Sequence, residues 1–248
     1  MDQKRDNFSS RFGVLVAVAG SAVGLGNVWR FPYLVGENGG GAFILVYLLC
    51  MIICVPIMIS EFIIGRKGRA NAVGSMKRLA PRSGWNIIGI ISVLSSVLIL
   101  SFYSVVGGWT IEYIIESVKG SYLNLNAAEL TSNFAILTAK PFRPAILSLL
   151  FLLVTAIIVS AGIKDGIEKY SKILMPILFV LIVVLAIKSV TLNNASEGLR
   201  FLFKPDFKSL GGKGVLAAMG QAFFSLSLGM GCIITYGSYV KYDDNITK

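Results

Sequence analysis

The sequence predicts an all-α integral membrane protein with six spans, the first and last of them broken in the middle. Three observations carry this. The chain is 55% hydrophobic with a mean hydropathy of +0.74, more apolar than an ordinary soluble domain. Apolar stretches of about 18 residues or more recur, each able to cross a hydrocarbon core of about 30 Å. Two of them are interrupted by Gly-x-Gly: Gly24-Leu25-Gly26 in the first and Gly229-Met230-Gly231 in the last. In lipid an unpaired backbone group costs several kcal/mol, so irregular backbone survives only inside protein or beside a cavity. Paired interruptions of this kind point to a transporter's midplane binding site.

The spans fall at 12–34, 42–64, 86–113, 144–161, 170–188 and 214–240. A polar start, residues 1–11, precedes the first and shows no cleavable signal pattern. With the N-terminus inside, Lys4, Arg5 and Arg11 are cytoplasmic. So is the loop carrying Arg66, Lys67, Arg69, Lys77, Arg78 and Arg82, which holds no acidic residue; this follows the positive-inside rule. Arg200, Lys204, Lys208 and Lys213 run against it, since this topology puts them outside. The longest polar segment, 116–143, is expected as an extracellular loop with turns at Gly120, Asn124, Asn126, Pro141 and Pro144. The second, 192–214, is expected to include a short interfacial helix near 196–203.

The formal charge of +10 does not point to nucleic acid, because no basic soluble domain carries it. Cys50, Cys54 and Cys232 all lie in apolar runs and read as packing. The chain has no histidine, which leaves zinc chemistry and His-based proton transfer poorly supported. No nucleophile–base pair marks an enzyme, and no repeated filter marks a channel.

Charged and polar groups inside the spans are the informative residues. Arg30 costs about 2.5–3.5 kcal/mol near a helix centre, and less if it snorkels. It is either an anchor beside Trp29 or a gate residue paired with an acid. Glu61 is either an interfacial charge or an acceptor for N–H groups freed by a broken helix; two breaks favour the second use. Gly20-x-x-x-Gly24 also matches small-residue helix packing, but packing has no need of Gly26 and the polar Asn27. Ser225 and Ser227 precede the second break. Together the breaks supply carbonyls, hydroxyls and an amide oxygen, hard neutral ligands suited to an alkali cation. Half-helix N-termini would favour a carboxylate. No acid lies between Phe12 and Phe31, so an amine without its own carboxylate would lack a counter-ion.

The run Ala19-Gly20-Ser21-Ala22-Val23-Gly24-Leu25-Gly26-Asn27-Val28-Trp29-Arg30-Phe31-Pro32, followed by Glu37-Asn38-Gly39-Gly40-Gly41-Ala42-Phe43, closely resembles the neurotransmitter:sodium symporter family, in its bacterial amino-acid transporter branch. Residues 220–239 resemble that family's sixth span. The resemblance implies a leucine-transporter-like fold of two inverted five-helix repeats. Here that means one transmembrane domain over 1–248, with the first repeat at about 12–188 and the sixth helix at about 214–240. It implies sodium-coupled symport of a neutral amino acid by alternating access across the cytoplasmic membrane.

By motif position, Gly20 and Val23 would offer carbonyls to one sodium ion. The Ala22 carbonyl, the Asn27 side chain and Ser225 would serve another, which also touches the substrate. Ser21, Ala22, Leu25 and Gly26 would line the substrate's polar end, and Tyr103 would bond its carboxylate. Ile99, Phe224, Ser227 and Met230 would shape the side-chain pocket. Arg30 and Gln221 would belong to the extracellular gate, Arg5 and Tyr239 to the cytoplasmic one, and Glu61 would brace the sixth helix.

Gly24 stands where amine-transporting relatives carry aspartate, and Met230 where many carry phenylalanine. A flexible thioether predicts a pocket for a large hydrophobic or aromatic amino acid. Gly166 and Pro176 resemble a Gly–nine–Pro pattern that permits local unwinding, or they mark an ordinary helix start and kink. The family has eleven or twelve spans, and ligands expected from the seventh and eighth lie beyond this sequence. The alternative expectation is therefore a truncated, non-transporting fragment, or one that works with the missing half or a homologous subunit.

Overall fold

The computed structural model describes residues 11–140 and 142–240. Among them the secondary structure is helical, in an order that follows the predicted spans. The first span is in three pieces: α1 (Arg11–Ala22), a π-helical turn (Gly26–Arg30) and α2 (Phe31–Glu37). Pro32 sits in the first turn of α2, where its missing N–H costs nothing. Then come α3 (Gly41–Gly68), α4 (Ala72–Leu79), α5 (Asn86–Val118), α6 (Ala127–Ala139) and α7 (Phe142–Ser160). A second π-helical turn (Ile163–Glu168) leads into α8 (Lys169–Val190), followed by α9 (Ala195–Phe203), α10 (Phe207–Ser225) and α11 (Cys232–Gly237).

Four continuous segments are long and apolar enough to cross a membrane: Gly41–Gly68, Asn86–Val118, Phe142–Ser160 and Ile163–Val190. Few of their apolar side chains are buried within the protein, as expected of helices whose solvent is lipid. The predicted first and sixth spans are not among these four, because each is divided by its break into shorter pieces. The expected short helix near 196–203 is α9. Two helices were not expected. The polar segment 116–143 contains α6, started by a capping box in which Asn126 accepts from the Glu129 amide and Glu129 accepts from the Asn126 amide. The basic loop contains α4, capped by Asn71 accepting from Gly74 N at 2.8 Å.

The chain divides into two compact units, one made of residues up to Val93 and from Ile163 onward, the other of Leu94–Gly162. In the first unit α3 is the hub, packed along α10 and α11. One core gathers Val35, Ala42, Phe43, Leu210 and Ala218, a second Cys54, Ala222 and Leu228, and a third Ala17, Ile163 and Val240. The glycine run before α3 makes the first core possible. A Cβ at Gly39 would lie 2.6 Å from Asp206 O, at Gly40 2.4 Å from Phe201 O, and at Gly41 2.5 Å from Leu202 O. Only bare backbone lets the α9–α10 connection close on it. Gly20 packs α1 against α8, its notional Cβ 3.6 Å from Met175 and Ser171.

The second unit is held by Trp109 against Phe134, edge to face at 5.3 Å, and by Tyr113 stacked on Tyr122 at 5.6 Å. Arg143 pairs with buried Glu112, its Nη2 and Nε at 2.8 and 3.0 Å.

Candidate functional site

The two breaks lie in the first unit and are built differently. At the first, Val23 N makes the last bond of α1, to Ala19 O at 2.8 Å. Asn27 N and Val28 N then share Gly24 O at 3.0 and 3.2 Å, and the chain restarts with a π-helical turn. At the second, Ser227, Gly229 and Gly231 take positive φ of 53°, 73° and 69°. That left-handed path is open to glycine and strained for serine.

Side chains tie the breaks together. Asn27 Nδ2 reaches back to donate to Ala22 O at 2.5 Å. Asn27 Oδ1 accepts from Ser225 Oγ at 2.7 Å and from Gln221 Nε2 at 3.2 Å. Gln221 Nε2 also reaches Gly26 O at 3.3 Å. Tyr47 of α3 donates its hydroxyl to Ser225 Oγ at 3.0 Å. Gln221 is buried at 1% exposure, and its Oε1 has no hydrogen-bond partner among the described residues. A buried acceptor left open costs about 1–3 kcal/mol and suits a donor or a cation. The oxygens gathered here are neutral and hard, the donor set an alkali ion prefers.

Glu61 of α3 answers the second break, its Oε1 accepting from Gly229 N at 2.8 Å. Its Oε2 is buried without a hydrogen-bond partner among the described residues. The Arg30 guanidinium lies 6.0 Å from the centre of the Phe224 ring, at the outer limit of a cation–π contact.

The structure thus brings together Ala22, Gly26, Asn27, Gln221 and Ser225, pairs Arg30 with Phe224, and joins Glu61 to Gly229. Val23, Leu25 and Met230 lie half-buried at the breaks and Ser227 is buried. Gly20 faces α8. Tyr239 packs beside Ala17, Ile163 and Val240. Ile99 and Tyr103 are on the part of α5 that belongs to the second unit. Arg5 lies outside the described residues, as does the side chain of Ser21. Sequence reasoning missed Tyr47, whose signal was a lone phenol in an aliphatic run that needs a polar partner.

The model of the sodium:neurotransmitter symporter family matches residues 5–134 and 142–248. The chain belongs to this family. It is 43% identical over 248 residues to an "uncharacterized sodium-dependent transporter", YhdH of Bacillus subtilis, covering 100% of this chain and 55% of that protein. It is 30% identical over 280 residues to the sodium-dependent neutral amino acid transporter B(0)AT2 of Mus musculus, covering 98% of this chain and 37% of the relative. Among solved structures, MhsT in complex with L-phenylalanine matches with a TM-score of 0.90 and 49% identity, over 97% of this chain and 55% of MhsT. The fold is therefore that of a symporter of this family, and the chain spans about half the length of the relatives it matches. The family is one of membrane transporters rather than enzymes.

Proposed function

We propose that this chain supplies the sodium- and substrate-binding breaks of a symporter for a neutral amino acid with a large hydrophobic or aromatic side chain. The observation that carries the reading is the oxygen cluster around Asn27. There the Ala22 carbonyl, the Asn27 amide and the Ser225 hydroxyl converge beside an open Gln221 oxygen. One sodium ion would replace the hydrogen bonds among these groups and touch the substrate carboxylate. Gly20 and Val23 would offer carbonyls to a second ion. Ser21, Leu25, Gly26 and Tyr103 would hold the polar end of the amino acid, and Ile99, Phe224, Ser227 and Met230 its side chain. Arg30 and Gln221 would close the outer side, Arg5 and Tyr239 the inner, while Glu61 keeps the second break open.

The substrate class is supported by the phenylalanine in the MhsT complex and by the name of the B(0)AT2 relative. The protein would sit in the cytoplasmic membrane with its N-terminus inside. Each charge crossing supplies about 2.3 kcal/mol per 100 mV, so two sodium ions with a zwitterion would support about three decades of accumulation. Ligands expected from later helices are not part of this sequence. The cluster described is this chain's share of the site.

The test is [3H]-phenylalanine binding to the purified protein in sodium or potassium chloride, with unlabelled neutral and charged amino acids as competitors. Sodium-dependent binding displaced by neutral aromatic residues is expected. Binding that is equal in both salts would overturn the coupling, and displacement by a cationic amino acid would overturn the substrate class.

A further inference from the structure

Between Glu61 and Glu112 the chain carries Arg66, Lys67, Arg69, Lys77, Arg78 and Arg82 and no acidic residue. The structure divides these cations by task. Arg69 Nη1 donates to Ser238 O at 3.2 Å and Val240 O at 2.7 Å, gripping the chain just beyond α11. Arg78 Nη1 donates to Gly68 O and Arg69 O at 3.1 and 3.0 Å, satisfying carbonyls at the end of α3. Lys67, Lys77 and Arg82 are exposed and make no ion pair among the described residues.

Helix α4 holds its place by one face. Ala72 and Ser75 are buried; Ser75 fills the space left by Gly68, and Ala72 that left by Gly231. Lys77 lies on the opposite side, Leu79 is 45% exposed where the helix ends, and in the chain beyond it Arg82 is exposed and Trp85 59% exposed. Because α3 and α5 are both long enough to span a bilayer, the link between them lies at the membrane–water boundary.

We propose that the exposed residues at the end of α4 and in the chain around it form a binding surface for anionic lipid headgroups. Lys67, Lys77 and Arg82 meet the phosphate charge, Arg82 with a guanidinium suited to paired oxygens. Leu79 enters the acyl boundary, and Trp85 takes the interfacial position that indole favours. Cations beside a span attract anionic lipid within a Debye length. The loop so held is the one that grips the end of α11 through Arg69, so bound lipid steadies the helix that follows the second break. The proposal does not rest on the transport reading.

The test is native mass spectrometry of the purified protein in neutral detergent, titrated with phosphatidylglycerol, phosphatidylcholine or inorganic phosphate. Phosphatidylglycerol is expected to bind in preference to phosphatidylcholine, with phosphate a weak competitor. The single variant K77Q should weaken phosphatidylglycerol about five-fold, and K67Q/K77Q/R82Q more than ten-fold. The charge-keeping K67R/K77R/R82K should retain it. A Gln variant that binds phosphatidylglycerol as the parent does would overturn the proposal, as would equal binding of the two lipids. Phosphate that displaces the lipid at equal concentration would show a free-anion site instead.

Discussion

Ser225 Oγ donates to Asn27 Oδ1 at 2.7 Å, joining side chains 198 residues apart in the chain. The bond crosses from the last break to the first and makes the two one structure. Asn27 passes the constraint on to Ala22 O, and Tyr47 holds Ser225 from α3.

Replacing that hydroxyl separates a structural role from an ion-binding one. S225A leaves Asn27 Oδ1 and the Tyr47 hydroxyl short of a buried partner, a cost of about 1–3 kcal/mol. Thermal melts in potassium chloride should fall by that amount. The added stabilisation by sodium should disappear as well; if it survives in full, Ser225 is no ligand.

Glu61 offers a second separation. E61A removes the acceptor of Gly229 N and should cost about 1.5–3 kcal/mol, the range for a bond to a charged group. E61Q keeps an acceptor oxygen and should lose less than half as much. Amide exchange at Gly229 is the readout, and equal protection in both variants would rule out the brace.

Close helix packing predicts opposite outcomes at two glycines. A Cβ at Gly65 would stand 1.9 Å from Ile234 O, and one at Gly237 2.4 Å from Phe62 O. G65A should destabilise by about 1–3 kcal/mol or more as α3 and α11 are pushed apart. Gly36 has nothing within 4 Å, so G36A in α2 should be neutral or stabilising by up to about 1 kcal/mol. Chemical unfolding in mixed micelles compares the two.

The start of α10 should respond to acid. Asp206 accepts from the Ser209 hydroxyl, the Ser209 amide and the Lys208 amide, and these bonds, the hydroxyl foremost, hold its carboxyl below the usual range. A depressed folded pKa gives stability that is present above the unfolded value, near 3.9, and lost as pH falls through the folded one. The melting-temperature gap between the parent and D206A should be constant down to about pH 5 and narrow below about pH 4. A gap that widens in acid would contradict the cap.

Much of this fold is legible in the residues. Hydropathy places the spans because the bilayer selects length and apolarity before any tertiary contact forms. Gly229 and Gly231 announce a break because the path there needs positive φ. The first break is subtler. Gly24 and Gly26 are absent from the positive-φ residues, and the chain turns through a bend and a π-helical turn instead. Helix α6 was readable from Asn126 and Glu129, whose capping box is a local pattern, but polarity made the segment look like a loop. Gly166 lies in the π-helical turn ahead of α8, so the Gly–nine–Pro segment begins in loosened helix.

The sequence by itself determined the membrane class, the four continuous apolar helices and the positions of both breaks, because burial in lipid and glycine's backbone freedom act over one turn or one span. Only the tertiary structure decided which atoms meet across the breaks. Asn27, Gln221 and Ser225 have many polar groups within reach of a chain. The packing of α10 and α11 on α3 leaves each of them one set of partners, with Tyr47 behind Ser225 and Glu61 beside Gly229. Hydrogen bonds between residues 168 to 198 positions apart carry no local signature. Their geometry is set by how the helices close on one another.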